Sequence, residues 1–168
     1  ESPWCMVLNG TWKFHWVDHP DKRPQEFFQP SFDDSAWGTI PVPSNVELHG
    51  HGTPIYTNAT YPFRKDPPRV TGEPPRHFTT FTERNAVSSC RRSFQLPAAW
   101  QGRHTLITFN GVASAFYLWV NGRMVGYSQD SRTPATFDIT RFVTPGDNLV
   151  AVEVYRHSDG SYLECQDF

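Results

Sequence analysis

Five carboxylic acids in the sequence could take part in acid–base chemistry, and hydrolysis of a glycosidic bond is the reaction that most clearly needs such groups. That reaction uses two carboxyl groups at a set separation, about 5–5.5 Å in enzymes that retain the anomeric configuration. Three candidates lie near the C-terminus and two lie elsewhere: Asp159, Glu164, Asp167, Glu47 and Asp130. No pair of them falls on adjacent predicted strands around an obvious pocket, and each is better explained as a solvated side chain or a turn cap. The sequence therefore predicts no complete acid–base pair.

The run with the most specific chemistry is YRHSDGSYLECQDF, at positions 155–168. A strand is predicted to end at Arg156, so that Ser158-Asp159-Gly160-Ser161 forms a turn at the end of a sheet. A carboxylate at that place can accept hydrogen bonds from two hydroxyls of a polyol, or it can coordinate a hard cation. The local pattern alone favours the simpler alternative, in which Asp159 accepts a hydrogen bond within its own turn.

Histidines give a weaker indication of a metal site. His49-Gly50-His51 could supply two ligands, and His15, His19 and His157 are further candidates. A zinc site needs three or four ligands that converge on one point. Two histidines beside glycines in a loop are therefore better explained as an exposed turn.

Composition and cysteine usage exclude several classes of protein. The formal net charge is −2, which gives no electrostatic footprint for nucleic acid, and no apolar run approaches the length that spans a membrane. Cys5, Cys90 and Cys165 are widely spaced and odd in number, so three free thiols are predicted. A chain of 168 residues is long enough to form one domain with a sizeable core, over positions 1–168.

The elements that must position these residues are organised around positions 104–130. Strands are predicted at Leu106 to Phe109, at Ala115 to Val120 and at Arg123 to Ser128. Between the last two stands Asn121-Gly122, the dipeptide that best satisfies a type I′ turn because both central residues need a positive φ. This hairpin is the strongest local prediction in the chain.

The middle strand of this region carries large apolar groups on both faces. By the period of two, Phe116, Leu118 and Val120 share one face, and Tyr117 and Trp119 share the other. Both faces are therefore expected to be covered, as in an inner strand of a packed sheet.

The rest of the chain reads as short strands separated by Pro- and Gly-rich turns, which is an all-β pattern. A long ordered, Pro-rich loop is predicted from Ser44 to Phe81, to wrap the sandwich or to contact a neighbour, and one helical turn from Asp33 to Trp37. Two packed antiparallel sheets, a β-sandwich of jelly-roll type, fit this pattern best. The remaining strands are predicted at Leu8–Val17, at Thr39–Pro43 on a sheet edge, at Arg91–Leu96, at Thr136–Phe142 and at Leu149–Arg156.

Five stretches, in this order and spacing, together resemble one family along the whole chain. They are LNGTWKFHW (8–16), IPVPSN (40–45), TPIYTNATYPF (53–63), GVASAFYLWVNGRMVGYSQDS (111–131) and SDGSYLECQDF (158–168). They are similar to the N-terminal sugar-binding domain of bacterial β-galactosidases in glycoside hydrolase family 2. The resemblance implies a jelly-roll domain of a larger enzyme that hydrolyses terminal non-reducing β-D-galactosyl residues. It also implies that a separate (β/α)₈ barrel carries both catalytic glutamates, so that this chain alone is inactive.

The resemblance carries one residue role directly onto this sequence. The aspartate of the SDGSYLE run, Asp159, is implied to contact the galactosyl hydroxyls at the rim of the active site and to share a sodium ion with the barrel. Magnesium is also expected for the parent enzyme. The parent is further expected to be a homo-oligomer, without nucleic acid or membrane partners, in a bacterial cytoplasm or periplasm.

Four positions depart from the family pattern and leave the sugar open. Val46 stands where the family often has Trp, and Ala113 stands where it has Asn; His157 and Cys165 also replace other residues. Two alternatives therefore stay open beside the main interpretation. One is a free-standing carbohydrate-binding module. The other is a structural or oligomerisation domain of a family 2 glycosidase with another specificity, such as a galacturonidase or glucuronidase.

Overall fold

Frequent Pro and Gly residues limit the strands to between four and ten residues. The computed structural model describes residues 2–165. The described part contains the strands β1 (Gly10–Val17), β2 (Gly38–Val42), β3 (Val87–Leu96), β4 (Leu106–Phe109), β5 (Ala115–Val120), β6 (Arg123–Gln129), β7 (Ala135–Asp138) and β8 (Gly146–Tyr155). A short helix, α1 (Ser161–Glu164), follows β8, and single 3₁₀ turns lie at Pro20–Lys22, Val46–His49, Thr79–Phe81 and Ala98–Trp100.

The strands form two antiparallel sheets, which confirms the predicted β-sandwich. One sheet has six strands in the order β2-β1-β3-β8-β5-β6, and the other pairs β4 with β7. The last strand of the chain, β8, therefore lies in the middle of the large sheet, paired with β3 from Val87↔Tyr155 to Leu96↔Gly146. The predicted edge position of the segment near Thr39 is also confirmed, because β2 is one of the two edge strands of the large sheet.

The main core lies between the two sheets, and β5 contributes to its centre. Phe116, Leu118 and Val120 are all almost completely buried on the same face, as the period of two predicts. The Phe116 ring packs against Phe109 of β4 and Phe137 of β7, with ring centroids 4.9 and 5.9 Å apart. Burial of these side chains is the main favourable contribution to the sandwich.

The outer face of the large sheet is covered by the segment 18–37, in which the sequence predicted only one helical turn. Phe27 in this segment is 1% exposed, and the Phe28 ring stacks on Trp119 at 4.9 Å with 5° between the planes. Arg91 of β3 holds the segment in place by donating to the carbonyl oxygens of Phe32 and Gln29, each at 3.0 Å. The prediction that both faces of β5 are covered is therefore confirmed around Trp119.

The predicted elements differ most from the structure at three places, and β8 also begins three residues before the predicted Leu149. The strand predicted from Thr136 to Phe142 ends at Asp138, because the Asp138 carboxylate accepts the Thr140 N–H at 2.9 Å and turns the chain. The strand predicted from Arg91 begins four residues earlier, at Val87. The segment 33–37 forms a reverse turn instead of a helical turn, with the Asp33 carboxylate accepting the Ser35 N–H at 2.9 Å.

The long loop after β2 was predicted correctly, since 44–81 contains no strand, but only two 3₁₀ turns and an isolated β-bridge between Asp66 and Arg69. The helices of the described residues are all short, and none of them is long and apolar enough to cross a membrane.

Candidate functional site

The Asp159 turn lies where β8 leaves the large sheet. The strand ends at Tyr155, and α1 begins at Ser161, so the turn stands at the end of the sheet as predicted. Asp159 is exposed, and its Oδ1 accepts the Gly160 N–H at 3.0 Å. No described residue donates a hydrogen bond to Oδ2. One carboxylate oxygen is therefore used inside the turn, and the other has no hydrogen-bond donor among the described residues.

A trio of buried serine hydroxyls fixes the backbone on both sides of Asp159. The Ser114 hydroxyl donates to Ser158 Oγ at 3.0 Å, and the Ser161 hydroxyl donates to Ser114 Oγ at 3.3 Å. The Ser158 N–H donates to Ser161 Oγ at 3.0 Å, which closes the network. Because buried hydroxyls are costly unless they are hydrogen-bonded, this network favours one geometry of the turn.

A second aromatic cluster joins the long loop to α1. The Tyr162 ring of α1 lies 4.9 Å from Tyr61 and 5.0 Å from Phe63, measured between ring centroids. The Tyr61 hydroxyl donates to the Tyr162 carbonyl at 3.0 Å, and the Tyr162 hydroxyl donates to the Arg69 carbonyl at 2.7 Å. The loop therefore wraps the Asp159 end of the sandwich, which was one of its two predicted roles.

Arg156, the residue after β8, holds the first part of the same loop. Its guanidinium donates to the Thr53 carbonyl at 2.7 Å and lies 3.5 Å from Glu47 and 3.4 Å from Glu83. Glu83 in turn accepts the Thr53 N–H at 2.8 Å. One arginine thus joins the end of the central strand to two otherwise separate parts of the loop.

Other candidate carboxylates serve structural contacts. Glu164 accepts both the N–H and the hydroxyl of Ser131, each at 2.7 Å, and so fastens α1 to the turn after β6. Asp130 accepts the Thr133 hydroxyl and the Arg132 N–H, and these bonds lower the pKa of its carboxyl below the usual value. Glu47 pairs with Arg156, as described above. The remaining candidate, Asp167, lies outside the described residues.

Candidate histidines are dispersed. His49 Nε2 lies 2.5 Å from the Ser44 hydroxyl, whereas His51 packs edge-on against Phe14 at 4.8 Å. His15 stacks on Trp37, and His19 caps a 3₁₀ turn by accepting the Asp21 N–H. Within residues 2–165, no three His, Cys, Asp or Glu side chains are grouped closely enough to hold a metal ion.

His157, beside the Asp159 turn, is buried against Phe63 with 5.1 Å between the ring centroids. Burial, with a smaller effect of the Arg156 charge, lowers the pKa of the imidazole to about 3. His157 is therefore neutral at physiological pH and acts as part of the packing between β8 and the long loop.

All three cysteines are free thiols, as predicted. Burial raises the pKa of Cys90 to about 12, and burial together with the Glu164 charge raises the pKa of Cys165. Neither thiol is activated as a nucleophile, because the thiolate is the reactive form.

Sequence reasoning located the Asp159 turn but missed the contacts that hold it. The serine trio joins Ser114 to a turn more than forty residues later, and no local pattern indicates such a pairing. The TYPF run at 60–63 carried a usable signal, since two aromatic residues in a polar loop predict that the loop is anchored to something apolar.

The six-stranded and the two-stranded antiparallel sheets pack as a β-sandwich, a class that includes carbohydrate-binding domains. Comparison with protein families makes this class specific. Residues 5–168 match the family described as "Glycosyl hydrolases family 2, sugar binding domain", and the chain belongs to that family.

Curated relatives align with nearly the whole chain. The "Beta-galactosidase" of Priestia megaterium is 47% identical over 167 residues, which cover 99% of this chain. The "Beta-galactosidase" of Pectobacterium atrosepticum is 49% identical over 162 residues, which cover 95% of it. The chain spans only 16% and 14% of the length of these two relatives.

Solved structures support the fold. A glycosyl hydrolase family 2 member from Bacteroides cellulosilyticus superposes with a TM-score of 0.63 at 26% identity, over 90% of this chain and 17% of that one. A β-glucuronidase from an uncultured Clostridium species shares the fold at 20% identity, with a TM-score of 0.59, over 88% of this chain and 21% of that one.

Proposed function

We propose that this chain is the sugar-binding domain of a β-galactosidase, and that the whole enzyme hydrolyses terminal non-reducing β-D-galactosyl bonds. Identities of 47% and 49% to proteins named β-galactosidase, along nearly the whole chain, support this substrate over a glucuronide. The two catalytic carboxyl groups belong to another domain of the enzyme. This domain binds and positions the sugar and does not itself break the bond.

The observation that carries this proposal is the state of the Asp159 carboxylate. Asp159 is exposed and uses only one carboxylate oxygen within the domain, for the Gly160 N–H. Glu164, by contrast, uses both of its oxygens within the domain, on Ser131. The buried serine trio holds the turn still, so the carboxylate is positioned before a sugar binds. An ionised carboxylate accepts hydrogen bonds from sugar hydroxyls and donates none.

Sodium fits the same carboxylate. A hard cation prefers oxygen ligands, and Asp159 Oδ2 is a charged oxygen that no described residue occupies. Asp159 would supply one ligand, and oxygens of the catalytic domain would supply the rest. The sodium ion would add positive charge beside the sugar hydroxyls. Magnesium, and the contacts that make the enzyme a homo-oligomer, belong to other parts of the protein in this proposal.

Three exposed apolar side chains support contact between this end of the domain and the catalytic domain. Leu48, Tyr56 and Leu163 are 77–78% exposed, and they lie on the 3₁₀ turn, the loop and the helix that Arg156 and Tyr162 gather together. Exposed apolar patches on a surface are typical of an interface. Leu163 lies on α1, four residues after Asp159, so in this proposal the catalytic domain is contacted close to the carboxylate.

Asp159→Asn in the full-length enzyme tests the proposal. The amide keeps the shape of the side chain and removes its charge, so kcat/KM for a β-galactoside should fall roughly ten- to a hundredfold, because hydrogen bonds to a charged partner are worth about 1.5–3 kcal/mol. The melting temperature should not change. Asp21→Asn is the matched control, since it makes the same change at an exposed carboxylate on the covering segment.

Two results would contradict this assignment. If kcat/KM were unchanged while the melting temperature fell, Asp159 would only stabilise its turn, and the domain would be structural. If the purified chain alone bound galactose with submillimolar affinity, it would be a free-standing carbohydrate-binding module. A few hydrogen bonds at a rim are too weak to offset the free-energy cost of association.

A further inference from the structure

One part of the outer face of the large sheet stays uncovered. Over β3, the segment 18–37 and its neighbours leave Val87 and Ser89 fully buried on this face. Over the β5–β6 hairpin the cover ends after Phe28 and Trp119, and Tyr127 of β6 is 43% exposed. The open area therefore lies at the Asp159 end of the sheet.

Three tyrosine rings form this open area, which we call the tyrosine patch: Tyr117, Tyr127 and Tyr155. The centroid of the Tyr117 ring lies 4.8 Å from that of Tyr127 and 6.1 Å from that of Tyr155. The Tyr127 hydroxyl donates to Gln129 Oε1 at 2.8 Å, and the Tyr155 hydroxyl donates to Glu153 at 2.8 Å. These bonds and ring contacts fix the ring orientations before any ligand arrives.

The patch is next to the Asp159 turn. The Gln129 side chain lies 3.7 Å from the point that a Cβ on Gly160 would occupy, so it lies against the turn. Partial burial and the negative charge of Asp159 both raise the pKa of the Tyr127 hydroxyl, which agrees with a carboxylate close to the ring. An aromatic ring, a carboxamide and a carboxylate are thus presented side by side.

We propose that Tyr127 and Gln129 form a second sugar contact beside Asp159, which binds the sugar unit attached to the galactosyl residue. This inference rests on the proposed function, in which Asp159 contacts the galactosyl unit. A pyranose ring has an apolar face of C–H groups and a rim of hydroxyls. Tyr127 offers a flat ring for the face, and the Gln129 amide can donate to a hydroxyl of the rim.

The polar groups around the rings favour a sugar over a protein partner. Gln129 and Asp159 are both exposed, and each places hydrogen-bonding atoms at an edge of the patch. The centre of a protein–protein interface is apolar and depleted in charged residues. A patch with polar and charged groups beside its rings is not typical of such a centre. An oligosaccharide presents apolar ring faces and polar hydroxyl rims within a few ångströms of each other. The tyrosine patch presents the complementary groups, an apolar ring beside polar side chains.

The test compares two substrates of the full-length enzyme. Lactose carries a second sugar, and methyl β-galactoside carries only a methyl group at that position. Tyr127→Ala should raise the KM for lactose about tenfold and leave the KM for methyl β-galactoside unchanged. Gln129→Ala should raise the KM for lactose about threefold. Tyr127→Phe keeps the ring and should stay within about twofold of the wild type.

Met124→Ala is the matched control. Met124 is exposed on the same face of the same strand, opposite Trp119 and further from Asp159, so neither KM should change. Unchanged lactose kinetics in Tyr127→Ala would overturn the inference, even where Asp159→Asn is impaired. An equal loss with both substrates and a lower melting temperature would also overturn it, since the ring would then be packing against protein. Normal activity of Asp159→Asn would overturn the proposed role of Asp159. It would not affect the test of Tyr127, because Tyr127→Ala is compared with the wild type.

Discussion

The two ends of the sandwich use polar side chains in opposite ways. At the end where β5 turns into β6, Asn121 and Asn148 bond to each other and to the surrounding backbone. The Asn148 amide donates to the carbonyl oxygens of Thr144 and Gly146 at 2.7 and 2.9 Å, and its oxygen accepts from Asn121 and from the Thr144 N–H at 2.8 and 2.9 Å. All four hydrogen-bonding positions of a buried amide are therefore satisfied within the domain.

At the other end the polar network supports a group that it does not itself use. The serines and Arg156 are bonded to the domain, and the carboxylate that they position is left partly free. The Asp159 side chain is exposed, whereas the Asn148 amide is buried. Under the proposed function, this difference separates an end that is complete by itself from an end that meets the sugar and the catalytic domain.

The largest loss of stability is expected in the core, which both ends of the sandwich share. Phe116→Ala should lower the free energy of unfolding by about 3–5 kcal/mol, because the ring is buried between two other phenylalanines and its removal leaves a cavity. Urea unfolding measures the loss. Leu106→Ala, on the exposed side of β4, is the control and should cost less than about 0.5 kcal/mol. A loss below about 1 kcal/mol for Phe116→Ala would mean that this face of β5 is open.

Asn148→Ala should destabilise the end where β5 turns into β6 and leave the function of the Asp159 end unchanged. Buried partners that lose their hydrogen bonds cost about 1–3 kcal/mol each, and partial rehydration limits the sum, so a loss of about 2–4 kcal/mol is expected in urea unfolding. Full-length kcat/KM should be unchanged at temperatures where the domain is folded. The control is Asn45→Ala, since Asn45 is exposed and makes no capping bond. A fall in kcat/KM would show that the two ends are coupled.

His157 provides a pH test of the second end. Its pKa is about 3 in the folded protein and about 6.5 when unfolded, so below pH 6.5 the unfolded chain binds a proton that the folded chain does not. Stability should therefore fall as the pH drops from 6 to 4, with His157 contributing up to about 1.4 kcal/mol per pH unit.

His157→Phe removes this titration, so the free energy of unfolding should fall less steeply with decreasing pH than in the wild type. The slope is the measured quantity, since it does not depend on a constant change in packing energy. His77→Phe, at an exposed histidine, should keep the wild-type slope. Equal slopes in the wild type and His157→Phe would mean that His157 is solvated at this end.

The smallest effect is expected for Arg156→Gln. Its ion pairs are partly accessible to solvent, so the loss should be about 1–2 kcal/mol, mostly from the bond to the Thr53 carbonyl. The more sensitive measurement is limited proteolysis, which should cut the loop 44–81 faster than in the wild type. Arg132→Gln, on an exposed turn, is the control. Unchanged cleavage would show that the Tyr162 cluster alone holds the loop.

The sequence predicts the end with Asn121 better than the end with Asp159, because its turn depends on local backbone preferences. Asn121-Gly122 specifies a turn by its own backbone preference, and both residues have a positive φ in the structure, as a type I′ turn requires. Burial on the core face of β5 followed from alternation alone. Such features depend on neighbours in sequence, which is why a sequence predicts them.

The features that were missed depend on distant partners. The first three residues of β3 form a short, mostly polar run in the sequence, which does not predict a strand: Val87, Ser88 and Ser89. They are part of β3 because they pair with β1 on one side and β8 on the other. The segment 18–37 looks polar until Phe27 is seen to pack on the sheet. At the candidate site, the position of Asp159 was predictable, but the serine trio that holds its turn depends on Ser114, more than forty residues earlier. The tyrosine patch required the pairing of β5 with both β6 and β8.

The central position of β8 also determines when the large sheet can form during synthesis on the ribosome. A ribosome releases β1, β2 and β3 early and the β5–β6 hairpin later, and neither group can join the other until residues 146–155 emerge between them. The β3–β8 pairing joins residues from 50 (Leu96↔Gly146) to 68 (Val87↔Tyr155) positions apart, so it closes late and slowly. Until then the apolar faces of both half-sheets are exposed to other nascent chains. Aggregation during synthesis should therefore be greatest for chains that stop just before Gly146.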